Sequence, residues 1–316
     1  MHYFIFPEKD TTIFEASSSL NSGLDEVLEI RKNVSDTGAS VDVSRILIKF
    51  DTTFFQEASS SGLIHQTGSR AAKYYLNLYD ANPKALAASQ SLYAYAISGS
   101  WDMGTGRSYD NPQTSDGCSW KYRYSETNGT LWASGSGAED GAGGVWYSSS
   151  VAPAASASLN HQSRDLKIDV TGTVNKWLSG NVINDGFLVK RSGSVGNNHP
   201  SASEGNTDRL GSFSFFSSNT NTIFPPTLEA VWDDSSWATG SLDALTSSNL
   251  EDSVLYMKGL RKEYKENSRA RFRVVGRERF PTKTYSSTPA GLTVKYLPSG
   301  STFYSISDAE TDDVIK

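Results

Sequence analysis

Apolar positions alternate with polar ones, or form short unbroken runs, along most of the first 235 residues. Successive side chains of a strand point to opposite faces of a sheet, so this alternation predicts half-buried β-strands. Clusters of Gly, Ser, Asn, Asp and Thr separate the segments, which is typical of an all-β sandwich or barrel. Strands are predicted at residues 3–6, 11–17, 27–33, 44–51, 71–81, 92–101, 186–191, 210–216 and 225–234.

The segment SRILIKFD, residues 44–51, is almost continuously apolar. A strand with apolar side chains on both faces belongs in the centre of a sheet, with a neighbour on each side. We expect the charges of Arg45 and Asp51 to lie in water at its two ends and to fix its register. The segment is therefore interpreted as core.

One helix is predicted, at residues 169–181, with Thr171 as its N-cap and Gly180 at its end. Val174 and Trp177 fall on one face of this helix. After residue 235 the composition changes. Residues 236–253 are polar and rich in turn residues and are predicted to be a linker, and residues 254–316 carry further strands of a small β domain or docking arm.

Two patterns in the first part of the chain resemble a known family. Residues 45–51 have the form R-x-L-hydrophobic-K-F-D, and residues 169–190 have a D-V-T…W…G helix that leads into a G-F-hydrophobic-hydrophobic-K strand. In this order they resemble the DNRLRE (disaggregatase-related) domain, a carbohydrate-binding-module-like jelly roll. The matching residues are Arg45, Leu47, Lys49, Phe50, Asp51, Asp169, Val170, Thr171, Trp177, Gly180, Gly186, Phe187 and Lys190.

This resemblance implies an all-β fold, with a jelly-roll β-sandwich and one short helix at residues 1–235, followed by the small C-terminal β domain. Such domains occur in structural proteins of tailed phages, including those of marine cyanobacteria, and residues 1–15 and 268–281 are similar to these proteins. The long segment between Gly99 and Ala154 departs from the family, and residues 236–316 lie outside the domain.

The residues that most often carry catalysis are sparse or badly spaced. Two pairs of carboxylates, Glu139–Asp140 and Asp233–Asp234, are adjacent in sequence, and adjacent strand residues point to opposite faces instead of flanking one bond. One cysteine, Cys118, and four scattered histidines give little basis for a zinc or Cys–His site. The loop at residues 109–117 offers Asp110, Asn111 and Asp116 without the spacing of a calcium loop. We predict no enzyme activity, no cofactor and no metal.

Aromatic residues in the long segment at residues 98–150 leave glycan binding open as an alternative. An exposed flat ring can stack on the apolar face of a sugar while loop groups bind its hydroxyls. The other interpretation is that these rings are buried and hold the segment against the sandwich or against a neighbouring subunit. The candidate residues are Trp101, Trp120, Trp132 and Trp146.

A basic segment lies near the C-terminus. Between Lys258 and Lys283 there are ten basic and three acidic residues, a local charge of +7, so the rest of this chain of net charge −6 carries −13. Alternation along the strand favours a charged face turned either to solvent or to an acidic surface of a partner, and disfavours nucleic acid. The residues predicted to dock a partner are Arg269, Arg271, Arg273, Arg277 and Arg279.

These observations favour a non-enzymatic structural protein of a tailed-phage virion, in its tail, baseplate or neck. Its partners would be other virion proteins and copies of itself, and the alternative is an adhesin module that attaches the particle to a surface glycan. The N-terminal MHYFIFPEKD lacks the features of a signal peptide, and no apolar stretch is long enough to span a membrane. We therefore expect assembly in the host cytoplasm, release by lysis, and no membrane partner.

Overall fold

A computed structural model describes residues 1–38, 40–61, 63–68, 71–82, 90–132, 143–159, 165–192, 204–232, 245, 252–265, 270, 272–280, 294–298 and 302–314. The chain divides into two compact units, Met1–Ser235 and Ser236–Lys316. The predicted linker at 236–253 lies outside the described residues except for Leu245, Asp252 and Ser253.

The fold is mostly β-structure, as predicted. The strands are β1 (His2–Ile5), β2 (Pro7–Phe14), β3 (Val27–Ile30), β4 (Lys32–Val34), β5 (Val41–Phe50), β6 (Lys73–Leu78), β7 (Gln90–Ala96), β8 (Ala155–Leu159), β9 (Leu166–Asp169), β10 (Phe187–Arg191), β11 (Phe213–Phe216), β12 (Thr227–Val231), β13 (Ser253–Lys258), β14 (Arg273–Glu278) and β15 (Val294–Lys295). The helices are α1 (Thr53–Ser60), α2 (Thr171–Leu178) and a 3-10 turn at Glu126–Asn128.

Two antiparallel sheets build the N-terminal unit. One has the order β1-β12-β6-β9, and the other has the order β2-β5-β10-β7-β8, with β4 also paired to β5. The chain passes from one sheet to the other between β1 and β2, β5 and β6, β6 and β7, β8 and β9, and β9 and β10, and it returns to the first sheet at β12. Leaving aside the extra strand β2 and the separate pair β3–β11, this is the interleaved strand order of a jelly roll.

The main core lies between these two sheets. Ile46, Ile48 and Phe50 project into it from β5, and Tyr74 and Leu76 project into it from β6. As predicted, β5 is a central strand, since it pairs with β2 on one side and with β10 on the other. A second apolar cluster, on the opposite face of the sheet that contains β5, explains why the run around Leu47 is apolar on both faces.

Two helices follow strand ends. The predicted helix is α2, but its N-cap is Val170 and not Thr171. The backbone N–H of Thr171 donates to Asp169 Oδ1 over 3.0 Å, and the helix ends before Gly180, whose φ is +72°. The helix α1 was not predicted. It begins in the same way, because the N–H of Thr53 donates to Asp51 Oδ1 over 2.9 Å.

Candidate functional site

The C-terminal unit contains a three-stranded antiparallel sheet of order β13-β14-β15. In its register Met257 lies opposite Val274 and Leu255 lies opposite Gly276. Leu255, Met257 and Val274 are neighbours on one face of the sheet, and each is between 39% and 53% exposed. Glu278 and Lys295 stand on the same face, beyond this apolar row. Soluble proteins seldom leave such a row of apolar side chains in water, so this apolar face is a candidate contact surface.

The opposite face of the same sheet combines basic side chains with Tyr256, Val254 and Val275. Lys258 lies opposite Arg273 across the two strands, and Tyr256 lies opposite Val275. Arg277, two residues beyond Val275, is on the same face. The predicted alternation of basic and apolar residues is present where the strand is described, because Arg273 and Val274 stand on opposite faces. The exposed Arg279 follows the strand, and Arg269 and Arg271 lie outside the described residues.

The four tryptophans proposed for glycan binding are buried. Trp101, Trp120, Trp132 and Trp146 are between 1% and 7% exposed and belong to the second apolar cluster, together with Leu47. Two of them are also fixed by hydrogen bonds, since Trp101 Nε1 donates to the carbonyl of Asp185 and Trp132 Nε1 donates to that of Ser119, each over 2.9 Å. These rings offer no open face to a sugar, so the glycan alternative loses the residues on which it rested.

A network of buried charges lies within this second cluster. Arg45 is 2% exposed, so the expectation that it lies in water was wrong. It makes a bidentate ion pair with Glu204, with Nε to Oε1 at 3.0 Å and Nη2 to Oε2 at 2.7 Å, and Lys190 Nζ reaches Glu204 Oε2 at 2.9 Å. The Arg45 guanidinium also lies 4.7 Å from the ring of Trp120 and 5.5 Å from that of Trp146.

The protonation of this network follows from burial and mutual attraction. Burial alone would raise the pKa of Glu204, but the charges of Arg45 and Lys190 outweigh that effect and hold the pKa below its ordinary value. Burial lowers the pKa of Lys190 to about 8, against the attraction of Glu204. Both oxygens of Glu204 bind side chains of this chain itself, so we assign the network a structural role.

A cleft of about 200 Å³ lies between the strand β3 and the loop at Ser108–Tyr109. Its lining combines three carboxylates with apolar groups, one arginine and a serine, and sequence reasoning did not find it. Arg31 Nη2 pairs with Glu29 Oε2 at 2.6 Å, and Arg31 Cζ lies 5.2 Å from the centre of the Phe14 ring. The lining residues are Phe14, Asp25, Glu26, Val27, Glu29, Arg31, Ser108 and Tyr109.

The cleft keeps an excess of negative charge. Burial raises the pKa of Asp25, hydrogen bonds from Ser108 oppose the shift, and the neighbouring carboxylates of Glu26 and Glu29 add to it. Only one of the three carboxylates is paired with the arginine that lines the cleft. The dense acidic run at residues 25–29 was the sequence signal that could have indicated this feature.

No family model matches this chain, and no curated protein matches it. The resemblance to the DNRLRE domain therefore stays a prediction, although the structure gives a local reason for one of its residues. Gly186 has a φ of +99°, and a Cβ at this position would lie 2.4 Å from the carbonyl oxygen of Ile48. Only glycine accommodates this turn into β10 so close to the backbone of β5.

The loop considered for calcium uses its carboxylates internally. Asp110 Oδ2 accepts hydrogen bonds from the N–H of Arg107 and the hydroxyl of Thr114, and Asp116 accepts two from Thr105. Within the described ranges, no group of three His, Cys, Asp or Glu side chains is arranged to hold a metal ion. The described helices include none of the length and apolarity that crossing a membrane requires. The carboxylate pairs Glu139–Asp140 and Asp233–Asp234 lie outside the described residues.

Proposed function

We propose that this chain is a non-enzymatic structural protein of a tailed-phage virion, a component of its tail, baseplate or neck, and that it works through contacts between subunits. The virion assignment is supported by the two family-like patterns and by the similarity of residues 1–15 and 268–281 to phage structural proteins. The jelly roll supplies a rigid body, and the C-terminal unit supplies the contact surface.

The observation that carries the proposal is the apolar face of the C-terminal sheet. A two-stranded hairpin is at best marginally stable in water, and the third strand, β15, adds only two residues to β13 and β14. Burying a side chain such as Leu255 or Met257 is worth roughly 1.5–3 kcal/mol. Both side chains are already about half buried in the single chain, so a neighbouring subunit that covers the rest would gain about half of that free energy for each.

The test is the protein inventory of purified phage particles, read by quantitative mass spectrometry. We expect the chain in particles at a fixed stoichiometry, and we expect the double variant Leu255→Ser/Met257→Ser to be expressed and folded but depleted from particles. The matched control, Leu63→Ser/Ile183→Ser, changes two exposed apolar residues of the N-terminal unit and should be incorporated normally. Absence of the wild-type chain from particles would refute the proposal.

A further inference from the structure

We propose that the C-terminal sheet of one copy of this chain binds a second copy at the acidic cleft of its N-terminal unit. This inference rests on the proposed function and specifies the partner. It assigns each copy two different surfaces, the sheet formed by β13, β14 and β15 and the cleft beside β3. Such a contact is heterologous, so it generates a ring or a filament of repeated subunits.

The cleft has the chemistry that a basic side chain requires. Its carboxylates outnumber its one arginine, and the pKa of Asp25 is raised in part because two like charges stand beside it. A cation that entered the cleft would relieve this repulsion. The Phe14 ring is buried beside Arg31. The Tyr109 ring, by contrast, is 65% exposed and lies 5.9 Å from the Arg107 guanidinium, so Tyr109 is the ring of this lining that a partner's side chain can reach.

The sheet has the complementary charge. Residues 1–235 contain 17 basic and 25 acidic residues, whereas residues 236–316 contain 12 and 10, so the two units differ in sign. The basic face also places Lys258 directly opposite Arg273, and like charges in this arrangement repel each other across a strand pair. An acidic surface on the second copy complements these basic charges, and complementary potentials of this kind select a partner and set the orientation of docking.

Apolar surface lies next to the cleft as well. Val27, which lines the cleft, pairs in register with Phe216. The Phe216 ring lies 6.4 Å from the ring of Phe224, which is 48% exposed. The cleft therefore has an exposed apolar border, as well as acidic walls, for a sheet with one apolar and one basic face.

A charge-swap experiment tests the contact. We compare the cleft variant Glu26→Lys with the sheet variant Lys258→Glu/Arg279→Glu by analytical ultracentrifugation at low and high salt. All three residues are exposed, so both variants should keep the wild-type fold and melting temperature. The wild-type chain should self-associate more weakly as salt rises, and each variant alone should lose about tenfold in self-affinity.

An equimolar mixture of the two variants is the decisive sample. The cleft variant still has a basic sheet and the sheet variant still has an acidic cleft, so the mixture should recover association. Glu57→Lys and Lys176→Glu, two exposed charges on α1 and α2, are the controls and should associate like the wild type. If the sheet variant fails to fold, Arg279→Glu alone replaces it.

The outcomes separate this inference from the proposed function. A monomer at all concentrations, or a mixture that does not recover association, overturns the contact between copies even if particles contain the chain. If the mixture of variants recovers association but purified particles lack the chain, the contact between copies is supported and the virion assignment is overturned.

Discussion

Arg45 and Glu204 form a bidentate, fully buried ion pair although they stand 159 positions apart along the chain. Arg45 belongs to the central strand β5, and Glu204 lies in the segment after β10. Arg45 also donates to the carbonyl of Gly143 over 2.5 Å, so one side chain joins β5 to two long connections. Gly143 has a φ of +77°, and a Cβ there would lie 2.5 Å from Arg45 Nη1. Arg45 therefore fixes the connections that contain Gly143 and Glu204 to the strand β5.

Removing the carboxylate should be costly for stability. In Glu204→Gln, the buried charges of Arg45 and Lys190 lose this counter-ion, and breaking a buried pair costs roughly 3–5 kcal/mol. We expect that loss in the free energy of unfolding measured with urea. Glu8→Gln is the control, because its pair with Lys49 is partly exposed at 3.4 Å and should change stability by less than about 1 kcal/mol. Equal effects of the two variants would contradict the structural role of Glu204.

The buried Asp10 predicts a specific dependence on pH. Burial raises the pKa of Asp10 to about 6, against hydrogen bonds from Ser218. Between about pH 4 and 6 the folded protein holds a proton that the unfolded chain has lost, so the stability contributed by this group falls as pH rises. Asp10→Asn has no such group. The unfolding free energy of this variant minus that of the wild type should therefore rise by roughly 2–3 kcal/mol from pH 4 to pH 7. Denaturant titrations of both proteins at several pH values measure this difference, and a difference that does not change with pH would contradict the raised pKa of Asp10.

The buried tryptophans predict an effect on folding. Trp101→Ala removes a ring that is 1% exposed and should lower the unfolding free energy by about 3–5 kcal/mol. Tyr109→Ala, at an exposed ring on the same long segment, should cost less than about 1 kcal/mol. Denaturant titration of both variants gives the comparison. A folded Trp101→Ala protein of wild-type stability that lost binding on a glycan array would favour the adhesin alternative.

Local alternation of apolar and polar residues was sufficient to predict most strands of the N-terminal unit. The apolar run of β5 identified a central strand, because unbroken apolar residues need cover on both faces. The same residues could not show which segments cover each face. The position of Arg45 near the start of the run predicted that its charge lies in water. In the fold the strand begins earlier, at Val41, and Trp120, Gly143 and Trp146 lie against Arg45.

Other differences also arise from residues that lie far away in sequence. The helix α1 is not predicted because DTTFFQEAS is rich in threonine and phenylalanine, which favour strands. Its Asp51–Thr53 start repeats the Asp169–Thr171 start of α2, and this local signal is present in the sequence. The acidic cleft combines β3 with a loop about eighty residues on, a distance that no local pattern bridges.

Cross-linking mass spectrometry of intact phage particles tests the central claim most directly. Lys258, Lys262 and Lys265 are exposed in the C-terminal unit and are available to a lysine-reactive reagent. If the C-terminal unit makes the contacts between subunits, these lysines should be cross-linked to other polypeptides of the particle or to a second, isotopically distinct copy of this chain. Cross-links from these lysines only to their own chain, in particles that contain it, would contradict the account.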